Sequence, residues 1–213
     1  MKRKGWKRCF CPFVFSSEML ENYNVILASK SPRRQELLRG LDVDFSVYTI
    51  PNLQETFPGN LTQGEIPLYL AEQKSSAYND LVDSKTIVIT ADTIVWHGDR
   101  VIGKPKNKED AVATLKSLAG SVHQVYSGVC ISSLDRKISF VDRSNVKFAP
   151  LSSEEIEFYV DRYKPYDKAG SYGVQEWIGY VGVERIEGSF YNIMGLPVHL
   201  LYKELKKIEI EGW

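Results

Sequence analysis

Val25-Ile26-Leu27-Ala28-Ser29-Lys30-Ser31-Pro32-Arg33-Arg34 reads as a strand, a turn and a helix start in immediate succession. The apolar run Val25 to Ala28 is bounded by Asn24 and Ser29, as a short buried strand requires. Ser31 can cap a helix whose first position suits Pro32. Leu37, Leu38 and Leu41 then supply an apolar face, and Gly40 is the expected stop.

Outward from this segment, strands and helices alternate. Phe45 to Ile50 reads as extended, and Pro51 to Gly64 as a loop rich in Pro, Asn, Gly and Thr. Helical spacing resumes over Pro67 to Tyr78. Thr86 to Val95 is the most strand-like stretch, dominated by β-branched residues and interrupted by one charge, Asp92. A helix carrying Ala111, Leu115 and Leu118 is predicted to stop at Gly120, followed by a half-buried strand over Val125 to Ile131 and another strand over Lys137 to Phe148. Ser152 or Ser153 can cap a helix bearing Ile156, Tyr159 and Val160, and a final helix follows Pro197. The pattern predicts an α/β fold with a sheet of mixed direction. No repeat or long linker divides it, so residues 19–213 read as one domain.

The 27 basic and 27 acidic side chains cancel, so no global field draws the chain to nucleic acid, and any anionic ligand must meet locally placed cations. Cys9, Cys11 and Cys130 do not form a disulfide framework, which fits a reducing compartment, and no Cys/His set has zinc spacing. Cationic residues and a short apolar run precede residue 16, but Pro12 breaks that run, and no small-residue cleavage site follows. Residues 1–18 are therefore expected to be a disordered tail or an extension upstream of a start at Met19. No apolar stretch approaches the roughly 20 residues of a membrane span.

Ser29-Lys30-Ser31-Pro32-Arg33-Arg34 sets hydroxyls and three cations at the mouth of a helix, a seat for phosphate; a capped surface helix with solvated arginines is the bland alternative. Asp92 is the second candidate, because an acid inside an apolar strand is costly to bury unless a cation meets it. Lys74 and Lys104 could be that cation, as partners in catalysis or in a purely structural ion pair. Gly170-Ser171-Tyr172-Gly173-Val174-Gln175 joins flexible glycines to an amide able to donate and accept, as a nucleobase edge requires; it is equally good turn chemistry. Trp96 and Trp177 could stack on a base, whereas His97, His123 and His199 are read as ordinary polar residues.

Taken together, these segments resemble the Maf family of nucleoside triphosphate pyrophosphatases. The resemblance runs from Val25 to Leu205 through Leu27-Ala28-Ser29, Ser31-Pro32-Arg33-Arg34, Lys74, Ala91-Asp92-Thr93, Gly103-Lys104-Pro105, Lys168-Ala169-Gly170, Tyr172-Gly173-Val174-Gln175, Glu187-Gly188-Ser189 and Gly195-Leu196-Pro197. It implies an elongated α/β fold with two lobes flanking a central cleft, cytoplasmic residence, a homodimer, a magnesium or manganese ion, and cleavage of a nucleotide between its α- and β-phosphates.

By the same resemblance Asp92 is the proton acceptor, and Asp92 with Glu55 holds the metal. Glu55 is the only acid of Asn52-Leu53-Gln54-Glu55, where relatives often have two or three. Lys74 and Lys104 assist catalysis. Ser29, Arg33, Arg34, Thr93, Lys168 and Gln175 bind substrate, and Arg33, Thr93 and Gln175 match the branch acting on dTTP and UTP. Glu176 and Trp177 stand where many relatives have glycine, which bears on the shape of the base pocket. A regulator of cell division that binds nucleotides without turnover, the 7-methyl-GTP branch, and an inosine-triphosphate pyrophosphatase are the competing readings. A regulator has no need of an acid poised at the scissile bond.

Overall fold

Residues 19–134 and 136–213 are described in the computed structural model of the chain; the expected tail, with Cys9 and Cys11, lies outside them. The opening segment folds as expected. β1 (Asn24–Leu27) leads at once into α1 (Pro32–Arg39), where the Ser31 hydroxyl accepts from the Arg34 N–H, Pro32 takes the first helical position and Gly40 caps the end. β1 lies parallel to both β2 (Ser46–Val47) and β3 (Thr86–His97).

β3 pairs antiparallel with β4 (Arg100–Ile102) and with β5 (Val122–Ser132). β5 pairs with β6 (Lys137–Phe148), and β6 with β7 (Val183–Glu187). The result is a mixed seven-stranded sheet of order β2-β1-β3-β5-β6-β7, with β4 on β3. One edge of β3 is covered by β1 at Thr86–Ile89 and by β4 at Val95–His97. Between them, Thr90 to Ile94 has no strand partner on that side among the described residues. This gap is a notch in the sheet, and Asp92 lies in it.

Two hydrophobic cores flank the notch. Leu27, Leu38, Ile89 and Val129 pack with Leu201 and Leu205 of α7 (Val198–Glu211) on one side. On the other, Val95, Val125 and Phe148 pack with Leu115 of α3 (Lys108–Leu118) and with Ile156 and Tyr159 of α4 (Ser153–Tyr163). The same long strands therefore serve both lobes, and Asp92 and Thr93 fall where one core ends and the next begins.

The opposite face of the sheet carries α2 (Glu65–Ser76), whose Ile66 and Leu70 pack on Ile94 and Tyr126. Close approach is possible because Gly128, the cross-strand partner of Asp92, lacks a side chain. A Cβ there would lie 2.4 Å from the backbone of Pro67 and Leu68. Contact at this distance brings the rest of α2, including Lys74, down over Asp92.

Three expectations are corrected. The helix predicted over 67–78 starts at Glu65, since Pro67 is tolerated in a first turn where backbone N–H groups are free anyway, and Tyr78 leaves it to hydrogen-bond Tyr48 and Ile50. β5 is buried on both faces along most of its length, because α2 covers one side and the lobe cores the other. Of the extended segment 45–50, only Ser46 and Val47 pair. Among the described residues no helix is long and apolar enough to cross a membrane.

Candidate active site

The notch opens into a cleft of about 510 Å³ lined by the β1–α1 turn, Glu55, Lys74, Asp92, Lys104, the 167–175 segment and Gly195. A cleft of this size suits a nucleotide-sized ligand. It lies beyond the carboxyl end of β1, where α/β sheets generally bind ligands.

On its α2 side, the Lys74 ammonium lies 2.6 Å from Asp92 Oδ1 and 3.1 Å from Glu55 Oε1. Lys74 and Asp92 are nearly buried and Glu55 is half exposed, so the charges grade from the strand interior to the cleft. Burial raises the Glu55 pKa, but the charge and hydrogen bond of Lys74, with Lys104 and Arg34 behind them, bring it below the ordinary carboxylate value. Asp92 Oδ2 makes no hydrogen bond among the described residues. Lys104 lines the cleft and acts on Glu55 through space; the cation paired with Asp92 is Lys74, not Lys104.

On the other side, Arg34 closes the notch. Its guanidinium donates to Ala91 O at 2.9 Å, to Gly195 O at 2.8 Å and to Thr93 Oγ1 at 3.0 Å. The Ala91 carbonyl belongs to the β3 edge that lacks a strand, so Arg34 takes the place of a strand donor. Desolvation lowers the Arg34 pKa, against the opposing charge of Asp92, but a guanidinium stays protonated in proteins. Thr93 Oγ1 also meets Ser127 Oγ at 2.8 Å, so its hydroxyl is committed to this scaffold. The Ser29 hydroxyl accepts from the Ser31 N–H and shapes the turn before α1.

The far wall holds Lys168 between Asp167 Oδ1 at 2.8 Å and Glu176 Oε1 at 3.1 Å, while Asp167 Oδ2 accepts from Arg33 at 2.9 Å. Glu176 also accepts from the Tyr159 hydroxyl, which in turn accepts from the Gly173 N–H. The departure from glycine at 176 thus places a brace behind the turn carrying Gln175. The amide oxygen of Gln175 is buried at the cleft and has no hydrogen-bond partner among the described residues. Trp96 and Trp177 do not line the cleft, and Trp177 packs edge-on against Phe158 at 5.0 Å.

The structure therefore gathers every sequence-predicted site residue around one cleft: Ser29, Arg33, Arg34, Glu55, Lys74, Asp92, Thr93, Lys104, Lys168 and Gln175. Sequence reasoning missed Asp167, Tyr159 and the Gly195 carbonyl. Asp167 sits directly before Lys168, and that adjacency was the only signal for it. His123 is wholly buried, donating or accepting at 2.7 Å with the Tyr172 hydroxyl, and burial lowers its pKa to about 3.

Among the described residues no three His, Cys, Asp or Glu side chains cluster as a closed metal cage. Asp92 and Glu55 nevertheless converge on one ammonium. A hard divalent cation that takes one or two carboxylates and completes its shell with substrate phosphate and water fits this pair.

The model of the family described as Maf-like protein matches residues 24–208. A Parabacteroides distasonis protein named dTTP/UTP pyrophosphatase is 55% identical over 89% of this chain and 98% of its own length. A Bacteroides thetaiotaomicron protein of the same name is 53% identical, with the same coverage of both chains. Among solved structures, a HAM1 protein from Coxiella burnetii is 13% identical and covers 87% of this chain and 99% of its own, at a TM-score of 0.44. With the match spanning both lobes and every residue of the cleft, the chain belongs to the Maf family.

Proposed function

We propose that this chain hydrolyses dTTP and UTP to the nucleoside monophosphate and pyrophosphate. The observation that carries the reading is the carboxylate pair Asp92 and Glu55 on the shared Lys74 ammonium, facing a cleft whose other walls present Arg33, Lys104 and Lys168. The names of the relatives, at more than half identity, support the choice of substrate.

Asp92 receives the proton of the attacking water. A new P–O bond forms from that water as the α–β bridging bond breaks, and the electron pair leaves with pyrophosphate. Lys104, Arg33 and Lys168 offset the charge of the polyphosphate. A divalent cation held by Asp92 and Glu55 would supply further positive charge and acidify water. Gln175 can accept from the imide N–H of uracil or thymine and donate to the neighbouring carbonyl, pairing an amide oxygen that is otherwise buried alone.

The same reading makes this a cytoplasmic enzyme, consistent with the free thiol of Cys130, acting on small nucleotides rather than nucleic acid and as a homodimer. The test is to incubate the chain with magnesium or manganese and each common triphosphate. Monophosphate and pyrophosphate from dTTP and UTP, lost on chelation, are the expected result. Release of inorganic phosphate alone, or no turnover, would overturn the reading.

A further inference from the structure

One carboxylate, Asp167, ties together two cations of the cleft that come from different lobes. Its Oδ2 lies 2.9 Å from Arg33 at the start of α1, and its Oδ1 lies 2.8 Å from Lys168 on the far wall. Each oxygen serves a different cation, which is how a bridging phosphoryl group would engage the same two residues. Asp167 is 60% exposed, whereas Arg33 and Lys168 are 24% and 10% exposed. The cations are thus set in the wall, and the anion between them is the member open to solvent.

Lys168 has a second carboxylate, Glu176, only 19% exposed and anchored by the Tyr159 hydroxyl. Departure of Asp167 would leave Lys168 with that partner. Arg33 has no other carboxylate among the described residues and would be freed entirely. Asp167 sits in the turn between α4 and Lys168, so rotation of its side chain into solvent frees Arg33 and leaves Lys168 on Glu176 alone.

We propose that Asp167 is an internal stand-in for substrate phosphate: it holds Arg33 and Lys168 until the polyphosphate displaces it, and on its return helps expel pyrophosphate. Burial raises the Asp167 pKa, but the hydrogen bonds and charges of Lys168 and Arg33 bring it below the ordinary carboxylate value, so the carboxylate is well held; a pyrophosphate group still offers more anionic oxygens to the same cations, so exchange can run both ways. The inference rests on the reading of the cleft as a polyphosphate site.

The test is calorimetric titration of the full chain and of Asp167→Asn with inorganic pyrophosphate in magnesium, together with steady-state turnover. Loss of the competing carboxylate is expected to tighten pyrophosphate binding about tenfold, lower KM, and lower kcat through slower product release. Asp167→Glu, which keeps the charge, should lie closer to wild type than Asp167→Asn in all three. Binding that weakens in Asp167→Asn would mean that the carboxylate only props the cations, and unchanged binding would mean that it does neither; both overturn the proposal. If the wild-type chain itself binds no pyrophosphate, the polyphosphate reading of the cleft fails as well, so the two failures are told apart.

Discussion

Lys74 on α2 and Asp92 on β3 meet at 2.6 Å, joining the helix that covers the sheet to the one acid of a largely buried strand. The pair lies at the notch, between the two cores, where β3 has a free edge. Asp92 is therefore paired, but by one oxygen only, and the other remains for a water.

Replacing Asp92 by Asn removes the proton acceptor while keeping an oxygen that can accept from Lys74. Turnover of dTTP is expected to fall about 10²–10⁴-fold, the usual worth of a positioned general base. Thermal melting should stay close to wild type. Pyrophosphate release and a circular-dichroism melt check the two halves; unchanged turnover would remove Asp92 from the chemistry.

Gly128 is where helix and sheet touch. A methyl group there meets the Pro67 and Leu68 backbone at 2.4 Å, with no flexible side chain to move aside. Gly128→Ala is expected to destabilise the chain by about 2–3 kcal/mol or more, at the upper end of overpacking costs. It should also cost activity beyond the loss of folded protein, because α2 carries Lys74. Urea unfolding and activity per folded molecule measure both, and a variant as stable as wild type would contradict the packing described.

His123 makes stability depend on pH. Its pKa is lowered by burial to about 3, against about 6.5 in an unfolded chain, so the unfolded state takes up a proton first as the pH falls. The stabilisation of the neutral form is complete above pH 6.5 and is lost progressively toward pH 3, amounting to about 2 kcal/mol at pH 5 by linkage. His123→Gln, which can still meet the Tyr172 hydroxyl, should flatten this part of the profile. Denaturant unfolding of both proteins between pH 7.5 and pH 5 is the measurement, and parallel profiles would count against a buried neutral imidazole.

Gln175 should govern base recognition. Truncation to Ala removes both amide hydrogen bonds, worth about 1–3 kcal/mol when their partners are left unpaired, which is roughly 5–150-fold in kcat/KM. The loss should be large for dTTP and UTP and small for inorganic tripolyphosphate, which has no base. Equal losses for both would locate Gln175 in scaffolding.

The amino-acid sequence determined the β1–α1 unit, since its strand, cap, proline and glycine follow one another along a short stretch of chain and local chemistry settles their conformation. It also marked Asp92, because a charge in a β-branched run needs a partner wherever it folds. Which partner, Lys74 or Lys104, was decided only by the tertiary structure, through the absence of a side chain at Gly128 that lets α2 descend onto the sheet. Asp167 gave even less sign in the sequence, as an exposed acid in a turn carries no periodicity. Its link to Arg33, 134 positions away, exists because the long strands bring the two lobes face to face across the notch. Local sequence fixes what neighbouring residues can do; long-range strand pairing and helix packing choose which distant charges meet.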